Sequence, residues 1–164
     1  MYCKTPLTFL VTLTLSTTAW GQTKISGTMQ CDKPDPVYTL PVGDRPDHAF
    51  TIFKAKCTSP KSAEIAGTQA TASEITTFAE IRGNRGSLRG SSVVTMASGD
   101  KTFTSSQGTA TLKEGVIQTA EGTWSYTGGT GKLKGIKGKG TYKTKGAPDG
   151  TRTVETEGEY QLPK

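Results

Sequence analysis

Only one side chain in this sequence can act as an imidazole base. His48 is the sole histidine among 164 residues, so any Ser–His–Asp or Cys–His arrangement must run through it. It stands beside Asp47 at the end of a proline-rich segment, no Gly-x-Ser-x-Gly elbow precedes a helix, and it reads as a surface residue at a strand start. Asp32, Asp35, Asp44 and Asp47 have the chemistry for Ca²⁺, but their spacing is not that of an EF-hand loop and prolines interrupt it. They read as a solvated turn-rich loop. The stretch 128–135, GGTGKLKG, invites a phosphate-loop reading and fails it. The motif needs glycine where Tyr126 stands and a hydroxyl where Leu133 stands, with a helix to follow. These readings leave no catalytic residue, no metal site and no cofactor to expect.

Charge offers the remaining chemistry. Lys132, Lys134, Lys137, Lys139, Lys143 and Lys145 fall within residues 128–146, a stretch without an acid, in a chain of net charge +6. Such a hairpin attracts polyanions, or else protects exposed strand edges and solubilises its own turn. Glu155, Glu157 and Glu159 follow on the next run and are placed to absorb part of the charge across strands.

The elements that position these groups are strands. Thr is the commonest residue, with 29 copies beside 20 Gly, a mix poor in helix formers and rich in β-formers and turn formers. No apolar run reaches the roughly 18 residues of a membrane-spanning helix. Residues 1–21 read as a secretory signal: Lys4, an apolar run from Leu7 to Leu15, then small residues at Ala19 and Gly21. The mature part, 22–164, is expected to be exported, to the periplasm or the medium, as one domain. It keeps two cysteines, Cys31 and Cys57, which in an oxidising compartment point to a disulfide, with free thiols the other arrangement.

Strands are expected over 24–31 and 48–57, then over 64–70, 75–81, 91–97, 102–104, 108–113, 116–127, 138–145 and 151–162. Turn chemistry separates the later runs at Gly83–Gly86, Gly99-Asp100, Glu114-Gly115, Gly128–Gly131 and Asp149-Gly150. Residues 32–47 carry four prolines, so they are denied a central place in a sheet. They are expected to run back along the domain so that the cysteines can meet. In the last run Val154, Thr156, Gly158, Tyr160 and Leu162 share one face, with Glu155, Glu157, Glu159 and Gln161 on the other. One buried and one wet face, in short antiparallel strands, closes most simply into a barrel. Phe103, Trp124, Tyr126, Tyr142 and Tyr160 are then expected inside, as core or around a ligand.

The run from Gly128 to Gly138, with Gly128, Gly129, Gly131, Gly135 and Gly138, resembles the Gly-Gly-Thr/Ser-Gly-x-apolar-x-Gly-x-x-Gly turn motif of plant dirigent proteins and allene oxide cyclases. The mature chain is also similar to small exported bacterial proteins of uncharacterised function. That similarity lies in Cys31 to Pro36, in Val42-Gly43-Asp44, and in the block from Gly122-Thr123-Trp124 through Gly140-Thr141-Tyr142 to Glu157-Gly158-Glu159-Tyr160. The resemblance implies an all-β, eight-stranded antiparallel barrel of the allene oxide cyclase/dirigent type. The motif carries no catalytic residue with it, and the plant active-site residues match no position here. Three roles compete: a non-catalytic binder of a small apolar or aromatic ligand, a cyclase- or dirigent-like isomerase, and a polyanion- or surface-binding protein acting through 128–146.

Overall fold

The computed structural model describes residues 21–163, so the expected signal peptide, apart from Gly21, lies outside the described residues. Ten strands follow in chain order: β1 (Thr23–Cys31), β2 (Val37–Pro41), β3 (His48–Lys61), β4 (Glu64–Ile65), β5 (Thr68–Arg82), β6 (Arg85–Met96), β7 (Lys101–Lys113), β8 (Val116–Gly129), β9 (Lys137–Gly146) and β10 (Arg152–Gln161). All pairings are antiparallel. The ring runs β3-β1-β10-β9-β8-β7-β6-β5 and returns to β3. This is the closed eight-stranded barrel that alternation called for, with β2 and β4 as short additions.

Several expected runs are pieces of longer strands. Residues 102–104 and 108–113 both belong to β7, because Ser105, Ser106 and Gln107 stay paired with β6. Ile75–Ile81 lies within β5, whose ladder extends from Ala70 to Arg82. Tight hairpins join these long strands. At Glu114-Gly115 both residues take left-handed φ, 51° and 79°, the turn whose twist matches that of its flanking strands.

The segment 32–47 does not run back. Leaving Cys31, the chain continues in the same direction along β3, with Asp32 and Asp35 donating their amides to the carbonyls of Lys56 and Lys54. It then pairs as β2 from Val37↔Phe53 to Pro41↔Ala49. The turn lies at 42–47, and Cys31 and Cys57 are nearly equidistant from it, directly opposite across one long hairpin. They form the disulfide. The prolines confine β2 to an edge, as they must, since Pro cannot donate to a second ladder.

The seam between β1 and β3 is the thin place in the wall. Only Thr28↔Lys61, Gln30↔Thr58 and Cys31↔Cys57 are partnered there, with a register shift between the first two. By contrast β1 pairs with β10 continuously from Thr23 to Cys31. The disulfide therefore staples the barrel where its ladder is weakest.

Inside, two apolar clusters lie toward the ends. One holds Ile65, Met96, Leu133, Ile136 and Tyr160. Leu133 and Ile136 come from the 3₁₀ turn Gly131–Leu133 and the residues after it, which fold over one mouth. The other holds Phe53, Ala79, Leu88, Ala110 and Ala120.

Candidate functional site

Between these clusters the barrel is hollow, with a cavity of about 160 Å³. Its wall draws on both: Ile65 and Ala70 from one, Phe53, Leu88 and Ala120 from the other. Inward positions of β7 add hydroxyls at Thr102, Thr104 and Ser106, while β8 and β9 add Trp124, Tyr126 and Tyr142.

Glycine decides where the aromatic rings lie. Along β8 and β9 the inward face reads Gly122-x-Trp124 and Gly140-x-Tyr142. Register puts Trp124 beside Gly140, and Gly140 beside Gly158. A Cβ on Gly140 would fall 2.6 Å from the indole, and one on Gly158 would fall 2.7 Å from it. Tyr142 lies in the same way across Gly122 and Gly108. Each ring thus rests flat on two bare stretches of neighbouring backbone, which explains the repeated Gly-x-aromatic spacing. Trp124 Nε1–H donates to the Thr141 carbonyl at 3.1 Å, fixing the ring's edge.

Of the five aromatics expected inside, Trp124, Tyr126 and Tyr142 line the cavity. Tyr160 is buried in the cluster with Ile65, Met96 and Leu133, where its hydroxyl accepts the Ala66 amide at 3.1 Å. Phe103 is the correction: Thr102 and Thr104 on either side of it line the cavity, so strand alternation turns Phe103 to the outer face. Burial raises the pKa of the Tyr126 phenol strongly, with Tyr160 adding a smaller contribution, and burial raises that of Tyr142 as well. Both phenols stay protonated, as donors.

The residue that sequence reasoning missed is Arg152. It begins β10, one alternation step before Val154, and therefore points inward with it. Only 9% of its surface is exposed, it lines the cavity, and its guanidinium carbon sits 5.2 Å above the Phe53 ring. Among the described residues no carboxylate pairs with it. Burial lowers its pKa, but arginine remains a cation. A desolvated cation–π contact returns about 2 kcal/mol, against several kcal/mol for taking an ion out of water. The ring alone does not compensate this charge. A second polar group, the Thr102 hydroxyl, is also buried without a hydrogen-bond partner.

His48 is not a surface residue. It is 7% exposed, with Nδ1 2.6 Å from Asp44 Oδ1 and Nε2 3.1 Å from Glu80 Oε1. Glu80 also accepts from Arg82 Nε at 2.9 Å. The trio clamps the 42–47 turn onto β5, outside the cavity. The other aspartates of that segment do not gather: among the described residues no group of three or more His, Cys, Asp or Glu could hold a metal ion.

The lysines divide. Lys132 and Lys134 sit in the turn over the mouth, and Lys137, Lys139, Lys143 and Lys145 project from the outer face of β9, all exposed. β9 is paired on both sides, so these side chains guard no free edge. Glu159 stands opposite Lys139, and both Glu155 and Glu121 stand opposite Lys143. In the glycine run, Gly131 and Gly135 take φ of 51° and 78°, and a Cβ on Gly129 would strike the Leu133 carbonyl; Gly128 and Gly138 each lie one residue inside the strand ends beside this turn.

Comparison with protein-family profiles finds no match, and neither does comparison with curated protein sequences. Solved structures do match. A conserved protein of unknown function from Rhodopseudomonas palustris superimposes with a TM-score of 0.50 at 11% identity, over 86% of this chain and 99% of that one. The two share a fold. A pterocarpan synthase dirigent protein matches with a TM-score of 0.49 at 12% identity, over 96% of this chain and 100% of that one. A pyocyanin demethylase matches with a TM-score of 0.42 at 18% identity, over 80% of this chain and 98% of that one.

Proposed function

We propose that the protein is an exported, non-catalytic barrel that holds a small apolar or aromatic ligand in its interior. The cavity walled by Trp124, Tyr126 and Tyr142 carries this reading. Its volume is close to the roughly 150 Å³ of an engineered apolar cavity that admits benzene, so the ligand is about one ring in size. The disulfide supports export, because such bonds persist in oxidising compartments.

A cyclase-like role needs a group that moves a proton at the cavity wall. Among the described residues that wall holds no Asp, Glu or His. Proton transfer would fall to Lys61, which is exposed, or to Tyr126 and Tyr142, whose burial opposes losing a proton.

The test is a panel of monocyclic and short-chain apolar compounds, read by Trp124 emission and by melting temperature. Binding in the cavity shifts the emission and raises the melting temperature. A panel that moves neither refutes the reading.

A further inference from the structure

The geometry points to a ligand that carries an anionic group, a carboxylate on a body of one ring, seated against Arg152. This deepens the cavity-binding reading and rests on it. The observation is a cation that the fold itself leaves uncompensated. Arg152 is nine-tenths buried, projects into the cavity from the first residue of β10, and has an aromatic face beneath it in place of a carboxylate. A residue kept merely for packing at such a position is ordinarily apolar, since buried charges are normally paired.

Position gives the same answer. Arg152 pairs in register with Cys31 and Gly146, so the disulfide hairpin and the β9–β10 turn hold its backbone. The planar fork presents several N–H donors. Among the described residues no carboxylate occupies those donors, and such a fork takes a carboxylate through two parallel hydrogen bonds. Tyr142, which packs against the cluster that holds Phe53, then flanks the apolar body. The chain's net charge of +6 favours the approach of an anion.

The experiment compares benzoate with toluene, which share the ring and differ in the charged group, by NMR titration of the purified protein at neutral pH. Benzoate is expected to bind about tenfold to a hundredfold more tightly than toluene, the gain of charge-assisted hydrogen bonds. Arg152→Met, which keeps an unbranched apolar stem, should abolish that preference and leave toluene binding in place. Arg152→Lys should keep part of it. If toluene binds and benzoate does not, or if Arg152→Met leaves the preference unchanged, the anionic ligand is refuted and the apolar cavity stands. If neither probe binds, both readings fall. Should Arg152→Met not fold, the order of the two probes on the unaltered protein and on Arg152→Lys decides.

Discussion

Reducing the Cys31–Cys57 bond should loosen the barrel at the seam between β1 and β3. The bond spans a sequence separation of 26 residues. On the chain-entropy relation that loop restrains the unfolded state by about 3.5 kcal/mol at 25 °C. For a domain of this size the same change lowers the melting temperature by roughly 10 °C. The ladder beside the bond offers little to offset the loss, because only Thr28↔Lys61 and Gln30↔Thr58 remain paired across it. The assay is guanidinium unfolding followed by Trp124 emission, with and without reductant, with intact mass confirming a gain of two hydrogens. Amide exchange resolved by residue adds the location: protection should fall first along Thr28–Cys31 and Cys57–Lys61, while β6 and β7 keep theirs. A stability change below about 1 kcal/mol would refute the entropy argument. Uniform loss of protection around the barrel would refute the seam as the weak place.

Three further outcomes follow. Gly140→Ala puts a Cβ against the Glu157 carbonyl and 2.6 Å from the Trp124 ring. It should cost about 2–3 kcal/mol and red-shift Trp124 emission, and a variant as stable as the parent would contradict the flat seating of the ring. Asp44 and Glu80 titrate below their ordinary values of 3.8 and 4.5, Asp44 through the hydrogen bond from His48, Glu80 through those from Arg82 and then His48. A lowered carboxylate pKa contributes stability that is present above the ordinary value and is lost as pH falls through the folded one. The melting temperature should therefore decline below about pH 5, less steeply in His48→Gln, and parallel curves for the two proteins would exclude the clamp. Finally, Glu155, Glu159 and Glu121 oppose the lysines of β9, so immobilised heparin should retain the protein only weakly at about 0.15 M ionic strength. Strong retention that drops when Lys132, Lys134 and Lys137 are replaced would make that face a polyanion site.

Much of this architecture was legible because strands that close a barrel alternate strictly. Val154, Thr156 and Tyr160 point inward and Glu155 and Glu157 outward, as the period of two requires. The same rule, carried one step back from Val154, reaches Arg152. A run of alternating threonines and glutamates gives no reason to place a charged residue on its buried side, so that step goes untaken. Phe103 misleads for the opposite reason: an aromatic residue suggests core, while the cavity face of β7 is made of Thr102, Thr104 and Ser106. His48 is held between Asp44, four residues away, and Glu80, and no local pattern announces the second contact, across 32 residues. The 32–47 segment was legible as an edge but not in its direction, because prolines forbid a ladder without saying which way the chain turns.

The paired glycines Gly108–Gly122 and Gly140–Gly158 divide the labour between frame and lining. Where the backbone carries no side chain, the rings of Trp124 and Tyr142 occupy floor space that no other group shares. Exchanging a ring for a smaller side chain enlarges the chamber without disturbing the ladder beneath it, whereas adding even a methyl group to the floor disturbs both. The size of the chamber can therefore change through two aromatic positions while the glycines stay put.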